Sequence, residues 1–195
     1  MGTDKATLLW PPHVAGFPRF RQVPLWQWQL DILRALRPSE LLISGPANGA
    51  YAGCGVRILP DEPEGMGPLG GIVTALTQAA CDRVVVLAVD MPHMQSRFLR
   101  GLLREADVQG QGIFPRQNGR FEPLAAVYGK DLLDLAVSQL ETGDASLQRF
   151  LERCVVSGRA QPLELLGDEP ALFTNLNSPT DIFTRRRGER GELLM

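Results

Sequence analysis

Apolar positions along this chain fall into two alternating rhythms. The first is the short continuous run. Arg83-Val84-Val85-Val86-Leu87-Ala88-Val89 is the clearest, rich in β-branched residues and followed at once by Asp90-Met91-Pro92. Such a run, with no polar alternation, reads as a strand buried on both faces of a parallel sheet. Leu41-Leu42-Ile43-Ser44 and Val56-Arg57-Ile58-Leu59 read as weaker strands, and Ile113-Phe114 with Leu124-Ala125-Ala126-Val127-Tyr128 complete the set.

The second rhythm is helical. Leu25, Trp28, Ile32 and Leu36 share one face, and Pro38 ends that segment. Ile72, Ala75, Leu76 and Ala79 line a second helix. Phe98, Leu99, Leu102, Leu103 and Ala106 line a third, with Ser96 placed to cap it. Leu132, Leu133, Leu135, Ala136 and Leu140 give a fourth, and Leu147, Phe150 and Leu151 a fifth, entered from Asp144. Ser178-Pro179-Thr180-Asp181 carries start signals for a last helix, a proline at the first helical position and an acid in the first turn. Strands alternating with helices predict an α/β fold with a doubly wound, mostly parallel sheet of Rossmann type. No repeat, low-complexity tract or linker interrupts the pattern, so residues 1–195 are expected to form a single domain.

Composition narrows the function. Twenty basic residues nearly balance 22 acidic ones, for a formal charge of -2. Without a basic excess, nucleic acid is not an expected partner. The local cluster Arg185, Arg186, Arg187 and Arg190 reads as a solvated helix end. Cys54, Cys81 and Cys154 are odd in number and far apart, and His13 and His93 are the only histidines, which argues against zinc and against a disulfide framework. No apolar run reaches the ~18–20 residues of a membrane span. The start Met1-Gly2-Thr3-Asp4-Lys5 lacks a signal-peptide core, and Ala6 stands where a myristoylation signal wants Ser or Thr. The expected compartment is the cytoplasm.

Ligands of open α/β sheets bind beyond the carboxyl ends of the strands. Asp90 occupies that position directly after the strongest strand. A carboxylate there wants a partner, and Mg²⁺ with nucleotide phosphate would provide one; an Asp capping the next turn is the other reading. Asp61, reached through Pro60, falls on the same edge, beside the polar Glu62-Pro63-Glu64. Gly65-Met66-Gly67-Pro68-Leu69-Gly70-Gly71 opens a helix, where glycines let a ligand approach exposed N–H groups. Lys5 could neutralise a phosphate, or simply be solvated. His93 could serve as a base, although a lone loop histidine is more often structural. Nothing resembles a Ser/His/Asp or Cys/His arrangement for nucleophilic catalysis.

Taken in order, these segments resemble the molybdenum cofactor guanylyltransferases over essentially the whole chain. Met1-Gly2-Thr3-Asp4-Lys5-Ala6 is similar to the end of that family's signature loop, Gly67-Pro68-Leu69-Gly70-Gly71-Ile72 to its Gly-Pro-Leu-(Ala/Gly)-Gly-Ile segment, and Val89-Asp90-Met91-Pro92 to its Cys-Asp-Met-Pro. Glu122 to Tyr128 and Asn175 to Asp181 resemble two later motifs. The resemblance implies a nucleotide-diphospho-sugar-transferase-like fold, with GTP, Mg²⁺ and molybdopterin or the molybdenum cofactor as ligands. It implies transfer of GMP from GTP to the terminal phosphate of the pterin with release of pyrophosphate. Molybdoenzymes or other cofactor-biosynthesis proteins are the protein partners it suggests. Carried over by motif, Asp90 would hold Mg²⁺, and Lys5 would contact the triphosphate. Gly2 and Asp61 would meet the nucleotide. Gly67, Pro68, Leu69, Gly70, Gly71, Asn175 and Asn177 would shape the pterin side of the cleft. The family also places a buried strand and a Leu-Ala-Gly-Gly-x-Ser-x-Arg loop directly before the Met-Gly-x-Asp-Lys motif. The expectation is that roughly fifteen to twenty further residues, a strand and a glycine-rich loop, are encoded ahead of Met1. Without them the chain would lack its first strand. A cytidylyltransferase of the same superfamily, or an inactive binding or chaperone relative, are the alternatives.

Overall fold

The computed structural model describes residues 4–11, 21–60 and 66–176. A 3₁₀ turn at Lys5–Thr7 is followed by β1 (Leu9–Trp10), β2 (Val23–Pro24), α1 (Leu25–Arg34), β3 (Leu42–Ser44), β4 (Arg57–Leu59), α2 (Gly67–Gln78) and β5 (Arg83–Leu87). Then come α3 (Ser96–Gln109), β6 (Gly112–Gln117), β7 (Arg120–Phe121), β8 (Ala125–Gly129), α4 (Leu133–Glu141), α5 (Leu147–Val156), β9 (Ala160–Glu164) and a closing 3₁₀ turn at Glu169–Phe173.

The α/β class holds, and the sheet is mixed. β5, β8, β6 and β7 are neighbours in a five-stranded sheet, with β9 paired to β6. β8 runs antiparallel to both β5 and β6, while β9 runs parallel to β6. The local cause of the reversal is Asn118-Gly119, with φ of 50° and 77°, joining Gln117 to its register partner Arg120. Two central turn residues with positive φ fit a tight hairpin whose twist matches its strands, and a connection this short cannot make a parallel crossover. β3 and β4 form a separate parallel pair, and β1 and β2 an antiparallel one.

Two apolar layers cover the main sheet. Leu69, Ile72 and Leu76 of α2 pack with Ala136 of α4 and Phe150, Leu151 and Cys154 of α5, against Phe114, Ala126 and Tyr128 of the sheet. Leu99, Leu102 and Ala106 of α3 pack with Ile113, Ala125, Val127 and Phe173 on the other face, joined by Ile32, Leu33 and Leu36. The helix at the third periodic segment begins at Ser96 itself. Its cap is Gln95, without a side-chain hydrogen bond, so Ser96 is a first-turn residue and not the capping one. α5 is capped by Ser146, whose own amide donates to Asp144 at 2.8 Å. The expected helix at Ser178–Asp181 lies outside the described residues. Among the described residues, no helix is long and apolar enough to cross a membrane.

Candidate active site

β5 ends at Leu87, and Asp90 follows in a turn. There the Lys5 ammonium meets the Asp90 carboxylate, Nζ to Oδ2 3.3 Å, across 85 positions of sequence. Their side chains keep 38% and 23% of their surface exposed, so the pair is open to a ligand. Lys5 is placed by a local device. The Asp4 side chain accepts from the Ala6 amide at 3.0 Å, the Thr7 hydroxyl donates to the Asp4 carbonyl at 2.7 Å, and Ala6 is buried. The following stretch is tied to α1, whose Leu25 amide donates to the Leu8 carbonyl at 2.8 Å. Trp10, Leu25 and Leu176, with Leu8, Trp28 and Val89, form a small apolar cluster that joins the N-terminal segment, α1, the Asp90 turn and the Leu176 segment.

The backbone of that turn is gripped from outside. Trp28 Nε1 donates to the Pro92 carbonyl at 3.0 Å, Gln29 Nε2 to the Met91 carbonyl at 2.7 Å and to the Val89 carbonyl at 3.4 Å, and the Leu176 amide to the Asp90 carbonyl at 2.9 Å. Periodicity placed Trp28 on a packing face and passed over Gln29 and Leu176. The readable signal for Gln29 was a polar residue four positions after Leu25, on the buried side of an apolar helix.

The other candidate residues divide. Asn175 is exposed, next to the Leu176 amide that holds Asp90. Only four residues separate the end of α2 from the start of β5, and the two pack together. The helix therefore runs back along the strand, and its first turn lies toward the Asp90 end. Gly67, with φ of +60°, and Pro68 are exposed there. Leu69, Gly70 and Gly71 turn inward, and a Cβ on Gly70 would come within 2.6 Å of Met66 Cβ, so Gly70 answers to packing. Gly2, Asp61 and Asn177 lie outside the described residues.

His93 packs edge-on against Trp10 with ring centroids 5.1 Å apart, and desolvation lowers its pKa. That is a packing role. Glu122 lies between β7 and β8, directly after Phe121. Desolvation raises its pKa, partly opposed by Arg120, and its segment reaches the end of β5 through the Ala88 amide donating to the Leu124 carbonyl at 2.7 Å. Among the described residues, no three His, Cys, Asp or Glu side chains are grouped to enclose a metal. The geometry thus offers one carboxylate and one ammonium side by side at a strand end, a pair able to receive a polyanion with its counter-ion.

Comparison with known proteins places the chain in a family. The model of the MobA-like NTP transferase domain matches residues 1–161. A probable molybdenum cofactor guanylyltransferase of Opitutus terrae is 34% identical over 190 residues, covering 96% of this chain and 89% of the relative. The molybdenum cofactor guanylyltransferase of Pseudomonas putida is 34% identical over 168 residues, covering 82% and 85%. In fold, the chain is similar to molybdopterin-guanine dinucleotide biosynthesis protein A of Archaeoglobus fulgidus, with a TM-score of 0.70 at 22% identity over 93% of this chain and 88% of that one. It is also similar to 2-C-methyl-D-erythritol 4-phosphate cytidylyltransferase of Thermus thermophilus, with a TM-score of 0.64 at 18% identity, covering 92% and 90%.

Proposed function

Because the chain belongs to the family of MobA-like NTP transferase domains, we propose that it transfers GMP from GTP to the terminal phosphate of molybdopterin and releases pyrophosphate. The observation that carries this reading is the meeting of Lys5 and Asp90 at the end of β5. A phosphate oxygen of the acceptor attacks the α-phosphorus of GTP. The new P–O bond forms as the bond to the bridging oxygen breaks, and the electron pair leaves with pyrophosphate. The acceptor phosphate is already anionic, so the protein need not provide a strong base. Its work is alignment and charge neutralisation.

Asp90 suits a divalent ion. Mg²⁺ is commonly bound by one or two carboxylates plus substrate phosphate oxygens, and since no cluster of three or more ligating side chains is present among the described residues, Asp90 fits an ion that arrives with the triphosphate better than a resident protein cage. When bound, that ion would supply positive charge to the phosphate oxygens. Asp90 has Lys5 as its partner. A partly exposed pair of this kind contributes only about 0.2–1 kcal/mol, so it exchanges readily for stronger partners. With Asp90 holding such an ion, the Lys5 ammonium would be free to neutralise phosphate charge. By motif, Gly2 and Asp61 would contribute to nucleotide binding. The exposed Gly67 and Pro68, with Asn175, would face the pterin, and Asn177 would join them by motif. The recipient of the product would be a molybdoenzyme or another protein of cofactor assembly.

Fold likeness to a cytidylyltransferase gives a second reading, in which CTP is the donor. Pyrophosphate release, measured with GTP or CTP and with or without molybdopterin, separates them. Release that needs molybdopterin and prefers GTP is the expected result. Preference for CTP would move the assignment to the second reading, and release indifferent to the pterin would overturn both.

A further inference from the structure

Asp90 sits on a turn with one backbone hydrogen bond of its own, from the Met94 amide to the Met91 carbonyl at 3.2 Å. Pro92 has no N–H to give, and β5 has already ended. Yet the carbonyls of Val89, Asp90, Met91 and Pro92 all accept hydrogen bonds from outside the turn, and those outside donors are Gln29, Leu176 and Trp28. Two of the three are adjacent side chains of α1.

Gln29 is the telling one. It is only 5% exposed, on a helix face otherwise given to packing. Its Nε2 must face the carbonyls, because the reverse orientation would set Oε1 against two other oxygens. That leaves Oε1 buried with no partner among the described residues. A buried, half-satisfied amide is a poor device for stability, since an apolar side chain of equal volume would fill the space without the desolvation cost. A local rule broken without a packing gain points to function. Trp28 repeats the logic more mildly: its ring packs in the cluster around Leu25 and Leu176 while its one N–H reaches the Pro92 carbonyl.

We propose that Gln29 and Trp28 are positioning residues, which fix the backbone on both sides of Asp90 so that its carboxylate is held ready for the metal-bearing nucleotide. The proposal rests on the assignment of Asp90 as the metal-binding carboxylate.

The test measures the dissociation constant for GTP with and without Mg²⁺, and takes the ratio as the contribution of the metal link. Gln29→Met keeps the volume and removes the donor, and Trp28→Phe keeps a ring and removes the N–H. Each is expected to shrink the ratio roughly two- to tenfold, as loss of one hydrogen bond would, with little change in metal-free affinity. Asp90→Asn should abolish the ratio. If Asp90→Asn abolishes it while Gln29→Met and Trp28→Phe leave it intact, the positioning role is overturned and the metal assignment stands. A fall in melting temperature with the ratio preserved marks a merely structural role, and also overturns it. If Asp90→Asn leaves the ratio unchanged, the metal assignment itself fails. The clamp is then judged without nucleotide, from the Asp90 carboxyl carbon resonance. A shift of that resonance in Gln29→Met and Trp28→Phe supports the clamp, and an unmoved resonance refutes it.

Discussion

β5 and β8 run side by side, from Arg83 opposite Gly129 to Leu87 opposite Ala125, and both are dominated by apolar residues. Every residue of β8 is buried, and every residue of β5 is only half-buried. The faces do not explain this. Val84 and Val86 pack against the α2, α4 and α5 layer, and Val85 and Leu87 against the α1 and α3 layer, so both faces of β5 are covered. The edges differ. β8 lies between β5 and β6, whereas β5 has a strand on one edge only among the described residues.

The phase of the ladder can be read from its ends. Ala88 donates to the Leu124 carbonyl, and Lys130 to the Asp82 carbonyl. In antiparallel pairing hydrogen-bonded positions alternate, so Val84 and Val86 face β8, and the amides of Arg83, Val85 and Leu87 point to the open edge. Side-chain pattern encodes what the faces of a strand touch. It carries no information about what lies along the edges, and a run that reads as the centre of a sheet can stand at its border. The candidate active site follows this less enclosed strand, which is why the Asp90 turn depends on donors from α1 and from the Leu176 segment. On the proposed reading, the enclosed side would supply stability and the open side chemistry.

The largest effect expected from that division is on catalysis. Asp90→Asn should lower pyrophosphate release by about 10²–10³-fold, the scale on which one electrostatic contact to a reacting group acts, and leave the melting temperature nearly unchanged. Wild-type turnover would remove the chemistry from the open side. Next come two valines directly opposite each other, Val85 and Val127. Val127→Ala opens a hole at a residue that is 0% exposed and should cost about 2–3 kcal/mol in urea unfolding, against about 1 kcal/mol for Val85→Ala. Equal losses would break the comparison, because they would mean that β5 is as enclosed as β8.

The same distinction between faces and edges explains what the sequence made legible. The runs at 83–89 and 124–128 and the helical stripes marked β5, β8, α1, α2, α3 and α5 correctly, because faces leave a periodic trace. Strand direction leaves none. The antiparallel course of β8 was nevertheless written in Asn118-Gly119, a hairpin dipeptide that the apolar pattern overlooks. β9 was missed because Ala160-Gln161-Pro162-Leu163-Glu164 is neither continuous nor alternating, and its proline is tolerable on a strand that, among the described residues, pairs with β6 alone. At the candidate site, Asp90 was singled out by its place after a strand, and Lys5 as a cation able to neutralise phosphate and by motif resemblance. Their contact could not be read from 85 positions apart, nor could the donors from Trp28, Gln29 and Leu176.

Amide hydrogen exchange sharpens the comparison to single groups. Within β5, the amides of Val84 and Val86 should be protected by β8, and those of Val85 and Leu87 should exchange about tenfold faster or more, through local opening at the free edge. Alternating protection along the strand is the expected result. Uniform protection would show that something pairs with the second edge in solution.

The smallest expected effects concern pH, and the two sides should fail in opposite directions. Beside β8 and α5, burial pushes the Cys154 thiol up to about 12 and Tyr128 well above its ordinary value. A group whose folded pKa is raised stabilises the fold while it stays protonated. That contribution is full below its unfolded pKa and is lost as pH rises toward the folded value. For Cys154 the window opens near pH 9, and by pH 10 the loss should be about 1 kcal/mol. On the site side, His93 is desolvated and its pKa lowered. It favours the neutral ring, so its contribution is present above about pH 6.5 and is lost as pH falls through the lowered value. Because His93 is exposed, that acid-side loss should be the smaller of the two. Stability measured by urea unfolding between pH 5 and pH 10 checks both arms. Cys154→Ala should flatten the alkaline arm whatever it does to the level of the curve, and His93→Gln should flatten only the acid arm. An alkaline arm that keeps its full slope in Cys154→Ala would show that the thiol is not what couples the enclosed side to pH.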